Sequence, residues 1–193
     1  MPCAKLETPL AKKRVYSDLL FFKFVYYCSF MNDSNFSYRK PLTLEQAYHK
    51  VTAFCTFRDR SQKEVLDKLY AIGISKDIAK KIISKLQEEG YLNEERMALS
   101  YAGGKFRIKA WGKKKIEAHM KHLGLSEGLI SEGLSQIDKT DYSDKLQTLA
   151  RKKWESLAKE EVQHRIIKTV RFLAGKGYES DMIWAVINTF KNE

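Results

Sequence analysis

A dense group of basic residues between positions 105 and 121 is the part of this sequence best suited to binding chemistry. The segment carries seven lysines and arginines against a single acid, Glu117. Such a group binds phosphates or carboxylates, because each contact neutralises a charge and releases counterions. The alternative interpretation is a solvated helix face whose charges meet only water. The seven cations are Lys105, Arg107, Lys109, Lys113, Lys114, Lys115 and Lys121.

Helical periodicity predicts how this basic segment is positioned. A helix that begins at Trp111 places three of the lysines on one exposed face, beside an apolar face turned towards the core. Arg107 and Lys109 then precede the helix on a connecting segment, within reach of the same partner. Of the three tryptophans, we expect Trp111, which begins this helix, to be the one that is partly exposed. The exposed face consists of Lys113, Lys114 and Lys121, and the core face of Ile116, Met120 and Leu123.

Arg58 and Arg60 form a second candidate site, at the junction between two predicted helices. Guanidinium groups bind carboxylate or phosphate in a bidentate manner. The same arginines can instead be structural and pair with Asp59 or Glu64 of their own chain. The sequence leaves both interpretations open. Arg96, which lies among acidic residues, is interpreted as structural.

No set of residues in the sequence predicts catalysis, a metal or a cofactor. His119 and His122 lie three positions apart on a helix, but no neighbouring ligand completes a metal set. The Gly103-Gly104-Lys105 run lacks the Gly-x-x-x-x-Gly-Lys-Ser/Thr pattern of a phosphate-binding loop. No Ser-His-Asp, Cys-His or paired-carboxylate arrangement has the spacing that catalysis needs. We therefore predict a binding protein that is not an enzyme.

Composition limits the class of protein and of partner. The chain has 193 residues, of which 44% are hydrophobic, and this content excludes wholesale disorder. The net charge of +11 predicts attraction to nucleic acid, to an acidic protein surface or to anionic lipid. Three cysteines without a Cys-x-x-Cys pair disfavour a disulfide framework and a zinc site, and they fit a cytoplasmic protein.

An internal repeat sets the plan of the chain. Gly73, Gly124 and Gly177 lie about 50 residues apart, and apolar residues recur at matching distances before and after them. Each repeated unit alone buries too little apolar surface and needs its neighbours. The apolar columns are Leu69, Met120 and Leu173; Ile74, Leu125 and Tyr178; Ile78, Leu129 and Met182; Ile83, Leu134 and Ile187; and Leu86, Ile137 and Phe190.

Capping patterns divide each unit into three helices. Thr43 with Gln46, and Ser61 with Glu64, have the spacing of capping boxes. Gly73 is suited to end its helix in the left-handed conformation. No stretch shows sustained alternation of apolar and polar residues, so we predict an all-α fold. The predicted units are residues 41–92, 93–138 and 139–193.

Residues 1–40 do not share this plan. Leu19–Phe30 is apolar and aromatic but too short to span a bilayer. The basic residues before it give it some features of a signal peptide, and a short anchor or docking strand is another interpretation. We favour an upstream extension, poorly ordered or not native, with Met31 as the natural start.

Three groups of residues carry a likeness to a known family. They are Phe57-Arg-Asp-Arg-Ser61 with Glu64-Val65 and Leu69; Gly90-Tyr-Leu-Asn-Glu-Glu-Arg96-Met-Ala98; and Gly104, Arg107, Gly112, Ile116 and Leu123-Gly124. Together they resemble the bacterial RecX regulatory proteins over about four-fifths of the chain, residues 42–190. The resemblance implies three tandem three-helix units in an elongated, curved array. It also implies binding within the groove of the RecA recombinase filament, with some affinity for DNA.

Two functions compete at this point. The resemblance implies a non-enzymatic regulator that restrains RecA, lowering its coprotease, ATPase and strand-exchange activities. We expect it to be a cytoplasmic monomer without a membrane partner, and to bind single- and double-stranded DNA weakly and in a salt-dependent way. The alternative is a helical nucleic-acid-binding protein that acts without RecA.

Overall fold

The computed structural model describes residues 42–191, and this part of the chain forms nine α-helices and no strand. The predicted all-α fold is therefore confirmed. The predictions for residues 1–40 lie outside the described residues. The helices are α1 Leu44–Phe57, α2 Gln62–Ala71, α3 Lys76–Glu88, α4 Glu94–Lys109, α5 Lys113–His122, α6 Glu127–Ser135, α7 Lys139–Glu155, α8 Val162–Lys176 and α9 Ser180–Lys191.

The nine helices pack as three successive trios, α1–α3, α4–α6 and α7–α9. Both predicted capping boxes are present, at Thr43 and at Ser61. Asn93 and Asp138 cap the first helices of the second and third trios through their side-chain oxygens. We propose that the units divide within the two connections that these caps close, at 92/93 and 138/139.

The three glycines end equivalent helices, as the repeat predicts. Gly73, Gly124 and Gly177 have φ of +83°, +83° and +90°, a conformation that residues with a Cβ rarely adopt. The apolar column four residues earlier is buried in all three units, with Leu69, Met120 and Leu173 each 0% exposed. The register of the repeat is thus confirmed at these two positions.

One apolar column of the repeat lies beside the buried face and not within it. Ile78 is 37% exposed, and its counterparts Leu129 and Met182 are only partly buried. A buried face needs positions three and four apart, and in α3 the buried residues are 79, 82, 83 and 86, which exclude Ile78. The buried column is Ala79, Ile130 and Ile183.

The apolar interior consists of two clusters. The first contains residues of α1–α3 only, among them Val51 and Leu69. The second is continuous through α4–α9 and includes Met120 and Leu173. The second and third trios therefore share one core, whereas the first trio has its own.

Helix α4 extends through the segment that was predicted to be a connection, and this changes the position of the basic residues. It runs through Gly103 and Gly104 to Lys109 and ends at Ala110, which has φ +51°. Burial of the helix face around Phe106 outweighs the low helix propensity of the two glycines. The cations at 105, 107 and 109 are therefore helical, and the connecting segment predicted for Arg107 and Lys109 is wrong. Helix α5 begins after Gly112, two residues later than predicted.

Candidate functional site

The start of α5 is docked end-on against the end of α8. The Gly112 amide donates to the Lys176 carbonyl at 2.8 Å, and the Lys114 amide donates to the Gly177 carbonyl at 3.1 Å. The partial positive charge of one helix terminus thus meets the partial negative charge of the other. These amide groups are satisfied within the chain, so the terminus of α5 is not an open phosphate site.

The lysines of this first turn divide between the docking contact and solvent. Lys115 donates through Nζ to the Gly175 carbonyl at 3.0 Å. Lys113 is half-buried, with Nζ 5.1 Å from the centre of the Tyr142 ring. Lys114 is exposed. Because Lys113 is half-buried, the predicted exposed face shared by Lys113, Lys114 and Lys121 is not formed.

Lys121 is exposed near the other end of α5, but it is already paired. Its Nζ lies 2.8 Å from Glu117 Oε1, one helical turn away. The hydrogen bond and charge of Glu117 raise the pKa of Lys121. An exposed pair of this kind contributes little to stability, because water screens both charges.

A groove of about 390 Å³ collects three of the predicted cations, Arg58, Lys105 and Lys109. Lys105 and Lys109 lie one turn apart on α4, and Arg58 follows α1. Lys105 Nζ lies 4.8 Å above the Tyr101 ring. Burial, and then the charges of Arg58 and Lys109, lower the pKa of Lys105. The groove is lined by Arg58, Asp59, Met97, Ser100, Tyr101, Gly104, Lys105, Ile108 and Lys109.

Arg60 has a structural role instead. Its guanidinium lies 3.7 Å above the centre of the Phe54 ring and pairs with Glu64 at 3.2 Å. Only 11% of its side chain is exposed, so it is not available to a partner. Arg58 also pairs with Glu64, at 2.5 Å, but it remains 45% exposed.

Arg96 connects the first and second trios, as its structural interpretation predicts. Its Nε donates to Asp59 at 2.8 Å, and Nη2 donates to the Gly90 carbonyl at 3.2 Å. Ser100 donates to the other oxygen of Asp59 at 3.1 Å. Asp59 is therefore committed to this junction, which leaves the cations of the groove without that carboxylate.

Arg107 lies on the other side of α4 from Lys105 and Lys109. Residues two positions apart in an α-helix are rotated by about 200° about the helix axis, so they point to nearly opposite sides. Its guanidinium covers Gly103, and a cavity of about 350 Å³ beside it also contains Asp141 and Asp144. The structure therefore does not place Arg107 with the groove cations.

An aromatic cluster beside the groove was not predicted. The Trp111 and His119 rings are 4.8 Å apart between centres, and Tyr101 Oη lies 3.2 Å from His119 Nδ1. Burial, then Lys105 and Lys115, lower the pKa of His119. No local spacing reveals this cluster, because its members come from two helices and the turn between them.

Trp111 is partly exposed, as predicted, although one other tryptophan is more exposed. Trp111 is half-buried in the cluster beside the groove. Trp154 is 8% exposed and Trp184 is 42% exposed, so Trp184 is the most exposed of the three. The Ala110 turn folds Trp111 back onto α5, which explains its burial.

Two large apolar side chains are exposed near the groove cations. Ile108, a lining residue, is 79% exposed, and Phe57, next to Arg58 in the chain, is 85% exposed. Exposed apolar surface that is rimmed by polar residues is typical of protein-binding sites. The sequence signal was an isoleucine inside a basic run, and the predicted site left it out.

Within residues 42–191 no group of three or more His, Cys, Asp or Glu side chains has the geometry of a metal site. None of the helices in that same stretch is long and apolar enough to cross a membrane.

Replacing Tyr142 with phenylalanine is expected to destabilise the chain by about 1–3 kcal/mol. The buried Tyr142 hydroxyl donates to Glu179 at 2.7 Å and accepts from the Lys113 amide at 2.9 Å. Burial is also the main reason that its pKa is raised. The substitution leaves both partners unpaired, and urea unfolding followed by circular dichroism measures the loss.

Tyr91→Phe is the matched control for that substitution. Tyr91 is 38% exposed, and surface changes of this size are usually within about 0.5 kcal/mol. Equal unfolding midpoints for the Tyr142 and Tyr91 variants would contradict the stabilising role of the Tyr142 hydroxyl.

Family models match the three trios one by one. The first, second and third three-helix domains of RecX match residues 47–86, 93–134 and 140–187. Two crystal structures have the same fold. RecX from Lactobacillus salivarius superposes with a TM-score of 0.69 at 23% identity, covering 78% of this chain and 97% of that one. A second crystal structure, of a regulatory protein RecX, gives a TM-score of 0.67 at 21% identity, covering 78% of this chain and 72% of that one.

Curated relatives carry the name regulatory protein RecX. The protein of Clostridium perfringens strain 13 is 34% identical over 135 residues, which are 69% of this chain and 63% of that protein. The protein of Clostridioides difficile is 24% identical over 165 residues, covering 83% of this chain and 77% of its own length. The chain thus spans somewhat less than two thirds of the C. perfringens relative. With all three domain models matched in order, this chain belongs to the RecX family.

Proposed function

We propose that this chain is a non-enzymatic regulator that binds the RecA recombinase filament and inhibits it during DNA repair. The inhibited activities are recombination, ATP hydrolysis and the coprotease function. The observation that carries the proposal is membership of a family of regulatory proteins, with all three domains present in order. The proposed protein acts in the cytoplasm as a monomer and binds DNA more weakly than it binds the filament.

The groove between the first and second trios supports a charged polymer as the partner. Arg58, Lys105 and Lys109 surround it, and Asp59 is engaged by Arg96. The exposed Ile108 adds an apolar contact that a protein surface can cover. A filament of protein on DNA offers both kinds of contact, which a bare nucleic acid does not.

Inhibition is proposed to act through a shift of the filament assembly equilibrium. A ligand shifts an equilibrium only by its difference in affinity for the two states. A protein that contacts adjacent subunits of the filament meets a different surface when the subunits separate or rotate. Binding to one arrangement therefore changes turnover without any covalent step by the regulator.

A helical nucleic-acid-binding protein that acts without RecA is the second candidate function. The net charge of +11 favours it, since phosphate contacts supply most of the affinity of non-specific binding. Its affinity for DNA would be the primary property, with a steep dependence on salt. RecA turnover would then respond only through competition for DNA.

The chain in stoichiometric excess is expected to lower RecA ATPase turnover on single-stranded DNA, and a groove variant to lose the effect. Lys105→Glu with Lys109→Glu reverses two charges of the groove. Lys113 and Lys115 are poor choices, because both take part in the contact between the second and third trios. Steady-state ATP hydrolysis measures the result.

The matched control carries the same change in charge away from the groove, at exposed Lys139 and Lys159. It should inhibit as the natural chain does. Ile108→Ala separates the two functions, since it should weaken inhibition about 5-fold or more while leaving DNA affinity unchanged. If RecA ATPase turnover is unchanged with the natural chain in excess, the proposal is wrong.

A further inference from the structure

The first trio contains a second groove, separate from the one around Arg58. Helices α2 and α3 are joined by four residues, Ile72–Ser75, with Gly73 at φ +83°, in the manner of a helix-turn-helix. A groove of about 330 Å³ lies between the two helices. Its lining residues are Gln62, Leu66, Tyr70, Lys76, Lys80, Ile83, Ser84 and Gln87.

Each wall of this groove is a stripe along one helix. Residues 62, 66 and 70 lie at successive turns of α2, and residues 76, 80, 84 and 87 do the same on α3. The α3 stripe begins with two cations and continues with the hydrogen-bonding side chains of Ser84 and Gln87. No lining residue is acidic. The groove around Arg58 contains Asp59, and the cavity beside Arg107 contains two aspartates.

The two lysines of the stripe are available to a ligand. Lys76 and Lys80 are exposed, and no carboxylate of residues 42–191 lies within salt-bridge distance of either one. On the far side of the same helix, Lys85 is paired with Glu89 at 3.7 Å. Tyr70 is 46% exposed at the end of the α2 wall. The groove thus combines free cations with an accessible aromatic ring.

We propose that the groove between α2 and α3 binds a single strand of nucleic acid. Phosphates contact Lys76 and Lys80, and a base stacks on Tyr70. Aromatic rings within a basic groove are the usual means of binding single strands without sequence preference. Gln62, Ser84 and Gln87 donate and accept hydrogen bonds, and they suit sugars and base edges better than an acidic peptide.

Duplex DNA fits this site less well. A duplex that received α3 in its major groove would meet the outermost face of the helix. That face carries Asp77 and Glu88 at about 100° and 120° from Lys76, and both would approach phosphates. The acid-free stripe turns towards α2, where a single strand can lie.

The site is a property of the first trio and not of the repeat. The equivalent helix of the second trio, α6, contains no lysine or arginine, and that of the third, α9, has only Lys191. The inference rests on the DNA binding included in the proposed function, and it names the site and the kind of strand that the site takes. It gives the chain a DNA contact on its first unit and leaves the groove around Arg58 free for a protein.

Fluorescence anisotropy with labelled oligodeoxythymidylate and the full chain, without RecA, tests this inference. Lys76→Gln with Lys80→Gln should weaken binding about 10-fold and lower the salt slope by about 1.4, since each phosphate contact on a single strand contributes about 0.7. Tyr70→Leu should weaken binding at least about 5-fold and leave the salt slope unchanged.

Lys81→Gln with Lys85→Gln is the matched control, with the same charge change on the far side of α3. It should alter affinity by less than about 2-fold. Equal losses for the two lysine pairs would show a general electrostatic field and overturn the site. If a hairpin duplex binds as tightly as the single strand, and the Lys76 and Lys80 variant loses that binding too, the proposed preference for a single strand is wrong. RecA inhibition retained by the Lys76 and Lys80 variant keeps this test separate from the proposed function.

Discussion

Replacing Gly112 with alanine is expected to destabilise the chain by about 3–5 kcal/mol. A Cβ at this position would lie 2.3 Å from the carbonyl carbon and oxygen of Gly177 and 2.4 Å from the Tyr178 nitrogen. These are backbone atoms, which cannot rotate away as a side chain can. The clash would separate α5 from α8 and break the hydrogen bonds from the Gly112 and Lys114 amides.

The Gly112 substitution tests the close approach of α5 to the end of α8 without adding backbone strain. Gly112 has φ −76°, which alanine adopts readily, whereas Gly177 at +90° would add a conformational penalty. Urea unfolding measures the free energy. Gly104→Ala is the control, because nothing lies within 4 Å of its Cβ and alanine favours the helix by about 0.5–1 kcal/mol. If Gly112→Ala lowers the free energy of unfolding by less than about 1 kcal/mol, the contact between the ends of α5 and α8 contributes little to stability.

A leucine or methionine lies four residues before each repeat glycine, and its replacement by alanine is expected to lower the free energy of unfolding by about 2–5 kcal/mol. Leu69, Met120 and Leu173 are each 0% exposed. Alanine at any of them removes buried apolar surface and leaves a cavity that the neighbouring helices can fill only in part. The loss at Leu69 should be confined to α1–α3, since that residue belongs to the separate first core.

Denaturant unfolding and hydrogen exchange check both parts of this prediction. Exchange should accelerate only in the first trio for Leu69→Ala, and across α4–α9 for Met120→Ala or Leu173→Ala. Ile167→Ala is the control, because Ile167 is 52% exposed and should lose less than about 1 kcal/mol. Any of the three variants behaving like this control would contradict the stabilising role of that buried side chain.

Local rules were sufficient to predict most of the fold. The capping boxes at Thr43 and Ser61 and the left-handed glycines mark helix ends directly, so three trios followed from the sequence. The extension of α4 to Lys109 could not be predicted in this way. Its two glycines disfavour helix locally, and the burial of Phe106 that overrides them is a long-range effect.

The same error explains which predicted site residues converge. When positions 105–109 are helical, Lys105 and Lys109 share a face and Arg107 does not. The contact of Lys115 with the Gly175 carbonyl joins residues far apart in sequence, and no spacing rule reveals it. Arg60 was open to two interpretations, and only the positions of Phe54 and Glu64 give it a structural role.

The division of the interior into two clusters has a consequence for synthesis on the ribosome. The first core lies entirely between Ala47 and Leu92, whereas the second extends to Phe190. At elongation rates of about 5–20 residues per second, about 5–20 s separate the emergence of these two end points. We expect the nascent first unit to pack its own core while the second still exposes apolar surface such as Met120, so that the two parts fold one after the other.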